Sequence, residues 1–596
     1  VIVGAREGDD GGDNAGEAYV IFGKSSGLTN IDLSSLTLSD GFVIQGDEAY
    51  DRAGYSVSYA GDVNGDGIDD LIVGAYVGDD GGTNAGEAYV TFGKSTGIAN
   101  VDLSSLSLTD GFIIQGDASF DNLGSSVSSA GDVNGDGIDD VIEGAPYGED
   151  GGPNAGEAYV IFGKSSGIAN VDLSSLAASD GFIIQGDAAS DQAGYSVSGA
   201  GDVNGDGIDD VIVGAIFADG TSSGEAYVIF GKSTGLGNID LSSLAASDGF
   251  IIQGDTAEDR AGYSVSYAGD VNDDGIDDVI VGAILGDDGG PGAGEAYVIF
   301  GKSTGLANID LSSLTPSDGF IIQGDVDSDY LGHSVAHAGD VNGDGIDDMI
   351  VGARFGASGA GEAYVLSGKS SGISSIDLSS FAASDGFIIQ GDAVGVQAGY
   401  SVSGAGDVNG DGIDDVIVGA PFGDDGGTSA GEAYVVFGGS ATGFGARVNL
   451  SALLPTYGFS ILGKAAGDYS GAYLSDAGDV NGDGIDDVVI GAVGTSYPGV
   501  PNSGAAFVVF GKAGGPTTDI DLSSLTAADG WEITGAPLSQ FSYNISGAGD
   551  VNGDGIDDLI VGARAYFGGQ GAAYVIYGKS SGISIVRRQM IWNTSG

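Results

Sequence analysis

Apolar residues along this chain fall into short runs of two kinds, in an order that repeats. In the stretch beginning at Asp51, Tyr55-Ser56-Val57-Ser58-Tyr59 alternates large apolar with small polar side chains, the period-2 mark of a strand with one crowded face. Leu71-Ile72-Val73-Gly74-Ala75 is apolar almost throughout, as a strand covered on both faces would be. Glu87 to Phe92 and Gly111 to Gly116 supply two further strands. The intervening segment, Lys94 to Asp110, is too long to recur as structureless loop in a compact protein. Its Asp-Leu-Ser-Ser-Leu core, Asp102 to Leu106, is expected to pin two leucines on the outer edge without forming a helix of consequence.

This pattern has a period. Between the first two strands stands the nonapeptide Asp-Val-Asn-Gly-Asp-Gly-Ile-Asp-Asp or a one-residue variant, starting at Asp62, Asp132, Asp202, Asp270, Asp340, Asp407, Asp479 and Asp550. Four antiparallel strands per unit at a fixed period predict an all-β fold, a β-propeller with one unit per blade. The usual propeller period of about 40 to 50 residues is exceeded because of the long segment before the fourth strand. The chain opens on a second strand and ends on a third, so residues 41–580 are expected to close as eight blades, with Phe42 to Gln45 completing the last. Residues 1–40 then read as a partial blade left from a preceding repeat, 581–596 as a non-repeat tail, and the whole as a fragment of a longer protein. A seven-bladed ring with a spare unit stays open, because periodicity does not set the closure number.

Each nonapeptide offers oxygen at positions 1, 3, 5, 7 and 9, the seventh through a backbone carbonyl. The candidate ligands are Asp62, Asn64, Asp66, Ile68 and Asp70 in the first loop and Asp132, Asn134, Asp136, Ile138 and Asp140 in the second. Asp202, Asn204, Asp206, Ile208 and Asp210 follow, then Asp270, Asn272, Asp274, Ile276 and Asp278, then Asp340, Asn342, Asp344, Ile346 and Asp348. The last three sets are Asp407, Asn409, Asp411, Ile413 and Asp415; Asp479, Asn481, Asp483, Ile485 and Asp487; and Asp550, Asn552, Asp554, Ile556 and Asp558. Odd spacing turns alternate oxygens inward around a tight turn, and Gly67 gives the backbone its freedom. Hard oxygen donors without His or Cys select Ca²⁺, up to eight ions, over zinc or copper, while Mg²⁺ asks for a stricter octahedron. An EF-hand or dockerin loop would need a carboxylate at position 12 and a helix beyond, but Val73 and a β-type run stand there. An RTX roll would need nonapeptide periodicity. Position 8, as at Asp69, has no ligand phase and reads as a solvated charge.

Charge narrows the partners. With 86 acidic residues against 17 basic ones the formal charge is −69, which disfavours nucleic acid and favours cations. There are no cysteines, so no disulfide framework informs the compartment, and no apolar run is long enough to insert in a bilayer.

A Gly-Tyr-Ser-Val type strand, the nonapeptide, Ile-Val-Gly-Ala-Pro and an aromatic strand together resemble the FG-GAP repeats of integrin α-subunit propellers and their bacterial relatives. The resemblance implies a propeller, with seven blades in the family ring, metal loops between first and second strands, and a role in adhesion. The sequence departs from it in the opening Phe-Gly, here Ala53-Gly54 or Leu123-Gly124, and in Gly-Ala-Pro, intact only at Gly144 to Pro146 and Gly419 to Pro421.

Other candidates are weaker. His333 and His337 replace the equivalents of Tyr55 and Tyr59 and, about 13 Å apart on a strand, cannot share a metal; they read as packing substitutions. Glu17, Glu87, Glu157, Glu225, Glu295, Glu362 and Glu432 open third strands, and Ala505 and Ala572 replace them later, which reads as a dispensable surface role rather than catalysis. Asn449, Asn544 and Asn593 begin glycosylation sequons. The expectation is an extracellular or cell-surface calcium-binding propeller, not an enzyme, that recognises a protein or glycan. Alternatives are a structural spacer in a giant surface protein or the accessory propeller of a secreted enzyme.

Overall fold

The computed structural model describes residues 2–5, 17–20, 42–45, 51–95, 101–439, 446–496, 504–534, 541–566 and 570–577. The tail expected at 581–596 and the Asn593 sequon lie outside them.

One unit shows how the sequence builds a sheet. Strand β1 (Ser126–Gly131) turns through the nonapeptide into β2 (Asp140–Ala145), which pairs antiparallel with β3 (Glu157–Ile161). The short β4 (Val171–Asp172) leaves the sheet, and β5 (Gly181–Gln185) returns to pair antiparallel with β3. The four predicted strands are therefore present, but the sheet has a fifth. Strand β6 (Ile239–Asp240), from the next unit, lies parallel on β5, just as β4 lies parallel on Gly111–Gln115 of the unit before. Five other sheets have the same five-stranded order, giving a β-propeller.

The Asp-Leu-Ser-Ser-Leu core explains this crossing. Asp172 accepts the Ser174 N–H at 3.0 Å and caps a single 3₁₀ turn, while Leu173 is buried and Leu176 half-buried. Of the two leucines expected to pin the edge, the first is the anchor.

Alternation along the strands divides each sheet between two cores. Val141, Tyr159, Ile161 and Ile183 pack back onto Ile72, Val90 and Phe112 of the preceding unit. Ile142, Val160, Phe182 and Ile184 pack forward onto Val211, Val213 and Tyr227 of the next. Each unit thus buries its apolar faces only between neighbours. The first strands of successive units, Ser126–Gly131, Ala193–Gly201 and Ala261–Gly269, pack side by side at the centre.

Two expectations change. Phe42–Gln45 does not complete the last sheet: it pairs with Glu17–Val20, in the Glu17↔Gln45 register that matches Glu157↔Gln185. The partner nearest in sequence wins because closing a short segment costs less entropy than recruiting a strand from the other end of the chain. Position 8 is not a solvated charge either. The Asp139 carboxylate accepts the backbone N–H of Asp62 at 2.8 Å, Asp209 that of Asp132 at 2.9 Å, and Asp277 that of Asp202 at 2.8 Å. The same clasp joins Asp270 to Asp347, Asp340 to Asp414, Asp407 to Asp486, Asp479 to Asp557 and, finally, Asp550 to Asp69. The hairpins form a closed circle. Gly131 makes room for the clasp: its φ is +70°, and a Cβ there would lie 2.3 Å from Asp209 Oδ2.

Candidate metal sites

The sequence-predicted ligands come together in the hairpin between β1 and β2. Both Asp132 oxygens accept backbone N–H groups, from Asp136 at 3.0 Å and Gly137 at 2.7 Å, and Asp136 accepts that of Ile138 at 3.1 Å. These bonds curl the loop so that positions 1 and 5 share one turn. Asp140 is fully buried and accepts from Val133 and Gly163, at 3.0 and 2.8 Å, tying the loop to its own sheet. The Asn134 amide lies against Asp140, with Nδ2 3.1 Å from each carboxylate oxygen.

The donor set suits a hard cation. Burial first, then the charges of Asp132 and Asp136, push the Asp140 carboxyl up to about 8, because the loop gathers carboxyls without an internal counter-charge of equal size. Rotating the Asn134 amide by half a turn would present its oxygen beside Asp140, giving an all-oxygen set in which Ile138 supplies position 7. The bonding repeats at Asp62, Asp202, Asp270, Asp340, Asp407, Asp479 and Asp550, each of which accepts from the residues four and five positions on.

The histidines stay apart, on one strand (Leu331–Gly339). His333 lies between Tyr263 and Tyr400 with ring centroids at 5.9 and 5.2 Å, and His337 lies 5.3 Å from Tyr267. They occupy tyrosine places in a run of aromatic contacts around the centre, as packing substitutions would.

The third-strand glutamates contradict their surface reading. Glu87, Glu157, Glu225, Glu295, Glu362 and Glu432 are all buried. Glu157 accepts the backbone N–H of Asp150 at 2.7 Å and the Tyr159 hydroxyl. It is paired in register with Ala145, at the end of β2 away from the nonapeptide, and therefore about 17 Å from Asp140. Asp117 and Asp121, from the turn before β1, join it there. Burial and the neighbouring Asp117 carboxylate push Asp121 up to about 8, and burial pushes Glu157 to about 7. Sequence reasoning missed these aspartates, although their four-residue spacing recurs at Asp187 and Asp191, Asp255 and Asp259, and Asp325 and Asp329.

FG-GAP repeats are matched at residues 53–91, 123–161, 193–229, 331–366, 398–436 and 541–576, segments that each run from the first strand through the nonapeptide to the third. The chain carries FG-GAP repeats. It is 30% identical over 247 residues to integrin alpha pat-2 of Caenorhabditis elegans, covering 39% of this chain and 18% of that protein. Integrin alpha-V of Gallus gallus is 32% identical over 253 residues, covering 41% and 21%. Phosphatidylinositol-glycan-specific phospholipase D of Bos taurus is 28% identical over 370 residues, covering 60% of this chain and 42% of that one. The chain thus spans less than half the length of each of these relatives. No helix among the described residues is long and apolar enough to cross a membrane.

Proposed function

We propose that this integrin-like propeller is an extracellular module whose nonapeptide hairpins bind calcium, and that it serves adhesion or recognition of a protein or glycan. The observation that carries the reading is the repetition of one oxygen-only donor set in eight hairpins joined in a circle through Asp550 and Asp69. On this reading calcium neutralises carboxylates at the same hairpins that clasp neighbouring units, and the ring closes with eight blades. Eight ions each held at ten times their Kd would add about 1.4 kcal/mol apiece to the folded state. Calorimetry with calcium and with chelator tests it: a melting temperature indifferent to calcium removes the reading. A calcium-dependent hit on a protein or glycan array supports recognition, and a calcium-dependent melt with no ligand favours the structural spacer.

A second reading is favoured by the phospholipase match, which covers 60% of this chain: an accessory propeller of a secreted enzyme. A hydrolase domain contiguous with this segment in the full-length protein would support it.

A further inference from the structure

The carboxylate groups at the opposite end of the sheets carry an inference separate from the hairpins. We propose that Asp117, Asp121 and Glu157 form a second class of divalent-cation site, suited to a hard ion such as calcium, and that other units repeat it.

Geometry is the first support. One ligand oxygen from each of the three residues lies within 4.8 Å of the others. Two oxygens on one calcium ion are separated by at most two bonds of roughly 2.4 Å, so this spacing is within reach of a single ion. The group has no His or Cys, which excludes the softer metals as its natural occupants.

The second support is an unsatisfied group. Asp121 is only 2% exposed and its Oδ1 has no hydrogen-bond partner; Asp329, 3% exposed, has the same deficit at Oδ2 in the equivalent group with Asp325 and Glu362. A buried carboxylate with an oxygen that lacks a donor, grouped with two more carboxyls, is a costly arrangement unless something positive shares the space.

Substitutions among the repeats are the third support. In the seventh unit Ala505 replaces the glutamate, and Lys464 stands at the place of Asp117. Lys464 pairs with Glu532, and its charge also acts on Asp468, the equivalent of Asp121. A cation is thus built into the chain where the acidic set is broken. In the eighth unit Ala572 replaces the glutamate, and Thr534 to Gln540 contains no acid at all. At Glu362 the Arg447 guanidinium reaches the carboxylate, a second cation supplied by the protein. Two of the three acids are thus lost together in the seventh unit and all three in the eighth, while the sixth keeps Asp392 and Glu432 with Val396 at the place of Asp121.

Crystals of the full chain grown in calcium and measured for anomalous scattering read both classes of site at once. The expected result is a peak within about 2.3–2.6 Å of oxygens from Asp117, Asp121 and Glu157. That peak should vanish in the Asp121→Asn/Glu157→Gln variant while those at the hairpins persist. Peaks at the hairpins with none here overturn this site and leave carboxyls sharing protons. A peak here with none at the hairpins supports it and removes the hairpin reading instead. Should the variant fail to fold, equilibrium dialysis of the native chain with calcium alone decides. More ions per chain than there are calcium-holding hairpins in the native crystals support the site, and a count equal to those hairpins overturns it.

Discussion

The backbone N–H of Asp550 donates to the carboxylate of Asp69, 2.9 Å away across 481 positions of sequence. The residue at position 8 of one hairpin caps the first residue of the hairpin before it, and this pair joins the last hairpin to the first. Replacing Asp69 with Ala should cost about 1–2 kcal/mol in chemical denaturation, the range for a charge-assisted hydrogen bond that is partly exposed. Hydrogen exchange should rise at the Asp550 amide and in Phe541–Gly547. Asp209→Ala removes an interior clasp with a similar loss in stability but without loosening the terminal strands.

Glu143 is fully buried with neither carboxylate oxygen hydrogen-bonded. It pairs in register with Val127 and Tyr159 exactly where Val213 pairs with Val197 and Tyr227 one unit later. Glu143→Val should therefore stabilise the protein by roughly 2–4 kcal/mol near neutral pH. Burial raises the Glu143 carboxyl well above its ordinary 4.5, so the folded state keeps a proton that the unfolded chain releases. Native stability must then fall as pH rises above about 4.5, and the gain from Glu143→Val must grow over the same range. Urea titrations of both proteins at pH 4 and 7 check the slope.

His333 has the opposite sign. Burial, aided by the Arg354 charge, holds its imidazole down at about 4 against an ordinary 6.5. The folded state carries it neutral while the unfolded chain takes up a proton near 6.5. Its contribution is complete above pH 6.5 and is lost as pH falls toward 4. His333→Tyr, which restores the residue found at Tyr263 and Tyr400, should remove that loss. Denaturation of both proteins at pH 7.5 and 5 reads the difference.

Asp132→Ala should act twice. Without calcium it frees the N–H groups of Asp136 and Gly137, which should cost about 1 kcal/mol. With calcium at ten times Kd the loss should grow by roughly 1.4 kcal/mol, and bound calcium should fall by one ion per chain. An equal loss in both conditions would show that this hairpin is held by hydrogen bonds alone.

Asp273 stands at φ +59° where Gly135 has φ +71° in the second hairpin. A left-handed aspartate carries strain that glycine avoids, so Asp273→Gly should stabilise the fold by about 0.5–1 kcal/mol. Thermal unfolding at constant calcium measures it.

Much of this was legible in the chain. Period-2 alternation located the strand that became Ser56–Gly61, and unbroken apolar runs located those that became Asp70–Ala75 and Glu87–Thr91. Such patterns are visible because each strand reports its own two faces. The donor set of the hairpins was equally visible, since its members lie within nine consecutive residues. Asp69 was misread because its partner, Asp550, belongs to another unit, and no local phase marks an acceptor that serves a neighbour. The glutamates were misread for a related reason: a carboxylate at the head of a strand looks like surface until the turn before the first strand folds over it.

Sequence alone therefore determined the repeat, the strand pattern within it and the oxygen-rich hairpin, all of which rest on contacts a few residues long. Tertiary structure decided what the charges do. It tied position 8 into a circle of clasps, buried Glu157 beside Asp117 and Asp121, and laid Val171–Asp172 across the preceding sheet, because each of these depends on two units being packed together.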